Sequence, residues 1–124
     1  MIKLIGPLHR LPSLSRDEFQ RYWREEHAAL IKKHAASLRI RRYVQVHTID
    51  HPVNQSIPDW RGCPEPYDGV AELWYDSVDE FVQANSAPEG IRANEALGED
   101  GKRFLDLSRS PLWLAQEQVI IETE

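Results

Sequence analysis

The chain has 124 residues, of which 41% are hydrophobic and 28% are charged, and its net charge at neutral pH is −5. This length suits one domain with a single hydrophobic core, and the composition is that of a folded globular protein. The acidic balance argues against a nucleic-acid partner, because the basic cluster over Lys32–Arg42 is typical of a solvated face. We therefore expect one globular domain over residues 1–124.

The N-terminal segment is apolar only from Ile2 to Leu8, and Gly6 and Pro7 interrupt it. It therefore has neither the apolar core of a signal peptide nor the length of a membrane span. Cys63 is the single cysteine, which excludes an intrachain disulfide and a cysteine-based zinc site within one chain. These features predict a cytoplasmic protein with no membrane partner and no redox role.

The predicted elements begin with a short apolar strand, Ile2–Leu8, whose length suits a strand better than a helix. Ser15 and Glu18 then have the spacing of a capping box, so a helix is expected to start near Ser15. Its apolar face repeats at helical spacing and carries two histidines. The residues of this stripe are Phe19, Trp23, His27, Leu30, Ile31 and His34.

A second strand is predicted over Arg39–Ile49, where the hydrophobic period changes to two. We assign its aliphatic residues to the face that packs on the helices, which leaves the polar residues on the opposite face. The two sets are Ile40, Val44 and Val46 on the first face, and Arg41, Tyr43, Gln45 and His47 on the second.

The segment Asp50–Asp68 contains four prolines and is predicted as a long irregular loop, a kind of segment that often serves as a lid or binding loop. Val70–Tyr75 follows as a third strand. Ser77 and Glu80 repeat the capping-box spacing, which places the start of a second helix at Ser77.

The C-terminal third starts at Pro88, which is tolerated in the first turn of a helix and not in its interior. Residues 88–106 are predicted to be helical in pieces, and Leu112–Ile121 to be a fourth strand. The order strand, helix, strand, strand, helix, strand predicts an α+β fold, the ferredoxin-like βαββαβ arrangement with an antiparallel sheet.

Helices cover one face of such a sheet, and an apolar second face must also be covered. A two-fold dimer that packs two open faces against each other forms a dimeric α/β barrel, so we expect a homodimer. With the faces assigned above, the polar residues of the second strand line the interior between the sheet and the partner. This interior is the expected ligand cavity.

Three segments, FQRYWREEHAALIKKH, RIRRYVQVH and DGVAELWYDSVDEF, resemble the EthD family, which is named for its association with ether degradation. The resemblance runs from Lys3 to about Val119, and its most specific pieces are Trp23-x-x-x-His27-Ala28 and the stretch Asp68–Trp74. It implies a dimeric α/β barrel. The family groups poorly characterised proteins with cofactor-free enzymes such as fungal polyketide decarboxylases and dehydratases. Related barrels include muconolactone isomerases, aromatic polyketide cyclases and haem-degrading monooxygenases, and fold alone does not choose among these chemistries.

Two histidines are candidate catalytic groups. His27 lies on the buried helix face, where burial lowers a histidine pKa below about 6.5, so that a neutral imidazole can act as a base. It also matches the family pattern; the alternative is a core histidine with one nitrogen tied to a backbone carbonyl or a tryptophan N–H. His47 lies roughly 7 Å from Tyr43 on the same strand face, close enough for both to touch one small ligand. The alternative for His47 is a half-exposed histidine at a strand end.

Tyr43 and Glu72 complete the candidate catalytic set. The Tyr43 hydroxyl can orient a carbonyl or phenol, although packing alone also explains a tyrosine in a strand. Glu72 shares a strand face with Val70 and Trp74 and is expected to be buried. A buried carboxylate is usually paired or has a raised pKa, so Glu72 is either an ion-pair partner of Arg41 or a catalytic acid/base.

The candidate substrate-binding residues are aromatic or polar side chains expected along the cavity wall. They are Trp23, Arg41, Gln45, Trp60 and Trp74, and core packing is the alternative role of the tryptophans. No metal site is expected, because His27 and His34 lie about 10.5 Å apart along a helix axis. The chain also has no phosphate-cradling glycine loop, so no cofactor is expected.

These observations lead to three hypotheses of function. The first is a cofactor-free lyase, isomerase or cyclase that uses acid-base chemistry on a small hydrophobic carbonyl or phenolic compound, such as a polyketide or lactone. The second is a non-catalytic small-molecule-binding protein that is accessory to a degradation pathway. The third is a haem-binding or haem-degrading monooxygenase with His27 or His47 as axial ligand.

Overall fold

The computed structural model describes the whole chain, Met1–Glu124. Four strands form one antiparallel sheet in the order β2-β3-β1-β4, and the helices pack on one of its faces. The predicted ferredoxin-like α+β fold is therefore confirmed. In chain order the elements are β1 Ile2–Leu8, α1 Arg16–Tyr22, a π-helical turn Trp23–His27, α2 Ala28–His34, β2 Arg42–His47, α3 Val53–Arg61, β3 Gly69–Tyr75, α4 Val78–Ser86, α5 Pro88–Gly101, a 3-10 turn Leu107–Arg109 and β4 Trp113–Ala115.

The predicted helix starts are found where the capping residues place them. The Glu18 N–H donates to Ser15 Oγ at 3.1 Å, and the Ser15 N–H donates to the Glu18 carboxylate at 2.9 Å, so the first capping box is complete. Ser77 Oγ accepts the Glu80 N–H at 3.1 Å, but the Glu80 carboxylate binds Arg39 at 2.6 Å instead of closing the box. The second box is thus half formed, because a cation lies within reach of its carboxylate.

The prediction of an irregular loop over Asp50–Asp68 is wrong, because α3 occupies Val53–Arg61. Pro58 alone lies inside this helix, and the other three prolines of the segment flank it. Only a proline inside a helix removes one of its hydrogen bonds, so the number of prolines does not exclude a helix here. Gly62 ends the helix at φ 72°, a left-handed conformation that glycine adopts without steric cost.

Strand β4 is shorter than the predicted Leu112–Ile121 and covers only Trp113–Ala115. The reason is the register of its partner. Ala115 lies opposite Lys3, and β1 begins at Ile2, so the residues after Ala115 run past the start of the only strand available for pairing. Helix α5, in contrast, is continuous where pieces were predicted, and Pro88 lies in its first turn as expected.

Strand β2 lies within the predicted stretch, but its two faces are the reverse of the prediction. Tyr43 and His47 lie on the side of the helices, and between them Gln45 Nε2 donates to the Trp23 carbonyl at 2.9 Å. The aliphatic residue Val46 is 45% exposed on the other side. A period of two separates a strand into two faces without saying which one is covered, and here the helix side supplies hydrogen-bond partners for polar side chains.

The sheet face turned away from the helices, which we call the open face, carries both apolar and charged side chains. No helix of the chain covers it, and Trp113 on it is 48% exposed. The register of β1, β2 and β3 determines which residues lie on this face. The open face includes Lys3, Ile5, Arg42, Val44, Val46, Val70, Glu72, Trp74 and Trp113.

The core lies on the opposite side, between the sheet and the helices. Its centre is formed by Leu8, Phe19, Trp23 and Phe104, of which the three aromatic residues are at most 1% exposed. None of the helices combines the length and the apolar composition that a bilayer span needs.

Candidate active site

A cavity of about 600 Å³ lies between the helix side of the sheet and the helices. Seventeen of its 24 lining residues are hydrophobic, a composition suited to an apolar small molecule. Strands β1 and β3 form its floor, and α5 and the segment from Leu107 to Leu114 form two of its walls. His27 and Tyr43 are two of the few polar groups that reach it.

His27 is held by an aspartate from another helix. Its Nδ1 lies 2.8 Å from Asp100 Oδ2, and the other carboxylate oxygen accepts the Tyr22 hydroxyl. A carboxylate only accepts hydrogen bonds, so in the neutral imidazole Nδ1 carries the proton and Nε2 carries the lone pair. Nε2 has no hydrogen-bond partner within the protein, so this nitrogen is free to accept a proton.

The pKa values of the pair favour a neutral imidazole beside an ionised carboxylate. Burial lowers the pKa of His27 below its ordinary value of 6.5, and the hydrogen bond and charge of Asp100 offset only part of that effect. Burial alone would raise the pKa of Asp100, but the hydrogen bonds from Tyr22 and His27 outweigh it and lower that pKa. At neutral pH, His27 is therefore an uncharged base.

Tyr43 belongs to a second hydrogen-bonded chain along the same wall. Gln45 Nε2 donates both to the Trp23 carbonyl at 2.9 Å and to the Tyr43 hydroxyl oxygen at 2.8 Å. Its Oε1 lies 2.8 Å from His47 Nε2, which must therefore be the protonated nitrogen. Because the Tyr43 oxygen accepts from Gln45, its own O–H is free to donate to a bound oxygen. Burial raises the pKa of Tyr43, so the hydroxyl keeps its proton at neutral pH.

Trp23 packs tightly between the first helix and the sheet. Its ring stacks on the His47 imidazole with centroids 4.6 Å apart, and Gly69 of β3 lies directly beneath it. A Cβ at position 69 would lie 2.5 Å from Trp23 Cζ3, far closer than real contacts allow. Trp23, His47 and Gly69 therefore form one packing unit, and glycine is required at this strand position.

The π-helical turn Trp23–His27 carries both ends of the Trp-x-x-x-His pattern. In this turn the Trp23 carbonyl accepts the Ala28 N–H, five residues ahead, as well as the Gln45 side chain. Such single-turn widenings of a helix occur often at functional sites. Here the turn lets one helix direct Trp23 into the core and His27 into the cavity.

The model of the EthD domain family matches residues 11–108. The chain belongs to the EthD family. The resemblance found in the sequence segments is thereby confirmed. A comparison with curated protein sequences gives no significant match.

Solved structures similar to this EthD-family chain have the same fold. One is an ethyl tert-butyl ether D (EthD) family protein from Bacillus halodurans C-125, with 24% identity, a TM-score of 0.63 and coverage of 95% of this chain and 99% of that chain. Another is a dimeric protein of unknown function and ferredoxin-like fold from Bacteroides fragilis, with 12% identity, a TM-score of 0.59 and coverage of 94% and 95%. A third is a mutant of SnoaB, a cofactor-independent oxygenase from Streptomyces nogalater, with 14% identity, a TM-score of 0.53 and coverage of 98% and 97%.

The structure brings five predicted site residues of this EthD-family protein together on the helix side of the sheet. The expected cavity between the sheet and a partner is therefore wrong in its location, because Tyr43 and its neighbours face the helices. Three of the five line the cavity directly, and two support them by hydrogen bonding and stacking. The lining residues are Trp23, His27 and Tyr43, and the supporting residues are Gln45 and His47.

Glu72 and Trp74 lie on the open face, on the opposite side of the sheet from the cavity. Glu72 pairs with Lys3 at 3.3 Å, so the expected Glu72–Arg41 pair is wrong. Trp74 lies between two cations, with Lys3 Nζ 4.9 Å and the Arg42 guanidinium carbon 4.5 Å from its ring centroid. These residues therefore stabilise the open face and do not reach the cavity.

Arg41 and Trp60 also lie away from the cavity. Arg41 binds Asp76 at 3.7 Å, and both side chains are more than half exposed. Trp60 lies on α3 and is 74% exposed. Neither residue lines the cavity.

Asp100 is the site residue that the sequence analysis missed. It lies on α5 at helical spacing from buried Ala93 and Phe104, a place where an apolar residue is normal. An aspartate on the apolar stripe of a helix, only 9% exposed, indicates a buried partner. That position was the available signal, and its partner is His27 because α5 packs against the π-helical turn.

Proposed function

We propose that this protein is a cofactor-independent enzyme that moves a proton on a small hydrophobic carbonyl or phenolic compound bound in the cavity. The observation that carries the proposal is the His27–Asp100 pair, which presents an unpartnered Nε2 in an apolar cavity. A neutral imidazole in a water-poor site, oriented by a carboxylate, is a general base suited to neutral pH.

The residues at the cavity wall have distinct roles in this chemistry. His27 Nε2 removes a proton from a carbon next to a carbonyl, or from a phenol. The Tyr43 hydroxyl donates to the oxygen on which negative charge develops, which lowers the barrier most effectively where water is excluded. Asp100 is a positioning residue, which holds the imidazole in its productive tautomer and stabilises the imidazolium that forms. The anion formed in this step can react in three ways. If the proton returns to a different atom, the reaction is an isomerisation, and if the anion expels a leaving group, it is a lyase reaction. If the anion attacks a carbonyl group of the same molecule, the reaction is a cyclisation.

A second candidate is a cofactor-independent oxygenase, supported by the fold that the chain shares with SnoaB. Removal of a phenolic proton by His27 would give an electron-rich anion, the substrate that dioxygen requires in the absence of a cofactor. The first step is the same in both reactions, and only the consumption of oxygen separates them.

The test of the proposal is proton exchange on α-tetralone, a neutral bicyclic ketone, in deuterated buffer, followed by proton NMR. We expect the protein to accelerate exchange next to the carbonyl. The rate should be constant near neutral pH and fall as the pH drops through the His27 pKa, below 6.5, because the protonated imidazole is no base. The consumption of dissolved oxygen is measured in parallel, with β-naphthol as the substrate, to test for the oxygenase reaction. Binding of α-tetralone without exchange contradicts the proposal and supports the non-catalytic binding protein. A Soret band that is shifted from that of free haem in the same buffer supports the haem alternative.

We also propose that two copies of the chain associate through their open faces. Two apolar side chains of this face, Val46 and Trp113, are 45% and 48% exposed in one copy, and no helix of the chain covers them. Two of the similar solved structures are described as dimeric. Burying apolar area is the main driving force of such association.

Light scattering tests the dimer. We expect about twice the chain mass of 14.4 kDa, and Val46→Asp should shift the protein towards the monomer because it places a charge in the interface. Val82→Asp is the matched control, since Val82 is 52% exposed on the helix side, outside the open face. A wild-type monomer at micromolar concentration, or equal effects of the two variants, would contradict the proposal.

A further inference from the structure

The cavity wall carries polar groups but no permanent charge. No lysine, arginine, aspartate or glutamate side chain is among its lining residues. Transfer of an ionised carboxylate or ammonium group from water into such surroundings is far more costly than transfer of a hydroxyl group. A ligand that fills this cavity is therefore uncharged and makes its polar contacts with neutral groups.

A second set of polar groups, the side-chain amides of Asn85 and Asn94, lines the cavity away from His27. Asn85 Nδ2 donates to the Phe81 carbonyl at 2.7 Å, which leaves Asn85 Oδ1 as an acceptor. Asn94 Nδ2 donates to that oxygen, so the orientation of both amides is determined by the Phe81 carbonyl. Asn94 Oδ1 has no hydrogen-bond partner within the protein, so it is available as an acceptor at the exposed end of the cavity.

The separation between Asn94 and the His27–Asp100 pair follows from helix geometry. Asn94 and Asp100 lie six residues apart on α5, which corresponds to about 9 Å along the helix axis. Asp100 holds His27, so His27 and Asn94 lie near different ends of this stretch of α5. Leu97 and Gly98 lie between Asn94 and Asp100 on α5 and line the cavity there. The length suits a fused bicyclic or tricyclic ring system with a polar group at each end.

We propose that Asn94 is a specificity-determining residue, which accepts a hydrogen bond from a hydroxyl group at the end of the ligand remote from His27, and that the cavity selects uncharged ligands. The proposal rests on the proposed function for the position of the reacting end. It concerns binding alone, however, and stands or falls separately from turnover.

The test is isothermal titration of the purified protein with three probes. The probes are β-naphthol, naphthalene-2,6-diol and β-naphthoate. The diol has one hydroxyl group at each end of the ring system. We expect the diol to bind about 2- to 10-fold more tightly than β-naphthol, the gain of one net hydrogen bond. We expect β-naphthoate to bind at least about 10-fold more weakly than β-naphthol, because its charge finds no partner.

Variants of α5 locate the effect. Asn94→Ala should remove the preference for the diol, because it removes the acceptor oxygen. Glu95→Ala, an exposed change on the same helix turn, is the control and should bind all probes like the wild type.

Two results would overturn the proposal: a preference for the diol that survives in Asn94→Ala, or naphthoate binding as tight as that of β-naphthol. Failure of the proposed function has a different signature, since the binding preferences would then be as expected while His27 variants and the wild type were equally inactive in proton exchange.

Discussion

Replacement of His27 by glutamine, or of Asp100 by asparagine, is expected to lower the rate of proton exchange by about 10²- to 10⁴-fold. Glutamine has no basic nitrogen to replace Nε2. Asparagine at position 100 can donate its amide N–H to Nδ1, which would move the imidazole proton to Nε2 and leave no lone pair facing the ligand. The measurement is the exchange rate at saturating α-tetralone, with the melting temperature recorded for each variant.

The two side chains act as one unit, and this makes the test sharper. The double variant should be about as slow as the slower single variant, because either change alone already removes the base. Glu99→Gln is the control next in sequence, since Glu99 is exposed and pairs only with Lys102. A single variant with wild-type exchange would show that the His27–Asp100 pair is only a structural contact, and fully additive losses would show that the two side chains act independently.

Replacement of Asp68 by asparagine is expected to cost about 2–3 kcal/mol of unfolding free energy, because the carboxylate is buried while the two arginines that it binds are partly solvated. Asp68 is 1% exposed and joins three parts of the chain. Its carboxylate accepts the Arg10 N–H at 2.8 Å and binds the Arg10 and Arg16 guanidinium groups. Asparagine keeps the shape but leaves both arginines without their counter-charge and turns an amide N–H₂ towards their donors. Urea denaturation of the variant and the wild type measures the difference.

The pH dependence distinguishes a charge effect from a packing effect. Burial alone would raise the pKa of Asp68, but the backbone hydrogen bond from Arg10 and the pairs with Arg16 and Arg10 lower it below 3.8. A lowered native pKa contributes stability at higher pH that is lost as the pH falls from about 3.8 through the native value. The difference in unfolding free energy between the wild type and Asp68→Asn should therefore become smaller over this pH range. Asp17→Asn, which removes an exposed pair with Arg21, is the control and should cost no more than about 0.5 kcal/mol; an equal cost of both variants would contradict the expectation.

The local patterns predicted the fold because each depends on neighbours in the sequence. The Ser15 capping box, the strand period around Val70–Tyr75 and the position of Pro88 all concern residues within one element, and the order of elements then limits the topology. The ends of helices and strands that depend on residues far away in the sequence could not be predicted from local patterns. The end of β4 is determined by where β1 begins, and the sequence around Ala115 contains no sign of it.

The site was predictable in part for the same reason. His27 was recognisable from its place on the helix stripe, but its partner Asp100 lies 73 residues away, and only the packing of α5 brings them together. The choice between the two faces of β2 also lay beyond local patterns. Tyr43 and Gln45 are accommodated on the helix side because the Trp23 carbonyl is within reach of Gln45, an arrangement that depends on the π-helical turn.

The contact between Trp23 and Gly69 links two motifs that stand far apart in the sequence. A Cβ at position 69 would lie 2.5 Å from the indole and 2.8 Å from the Val46 carbonyl oxygen, so two separate parts of the molecule exclude a side chain there. A smaller residue in place of Trp23 would therefore not by itself admit a side chain at position 69, because the Val46 carbonyl oxygen belongs to the backbone of the neighbouring strand. Glycine at position 69 is thus required twice, once by the helix that packs on the sheet and once by the strand beside it, and only a shift of the strand backbone would lift the second requirement.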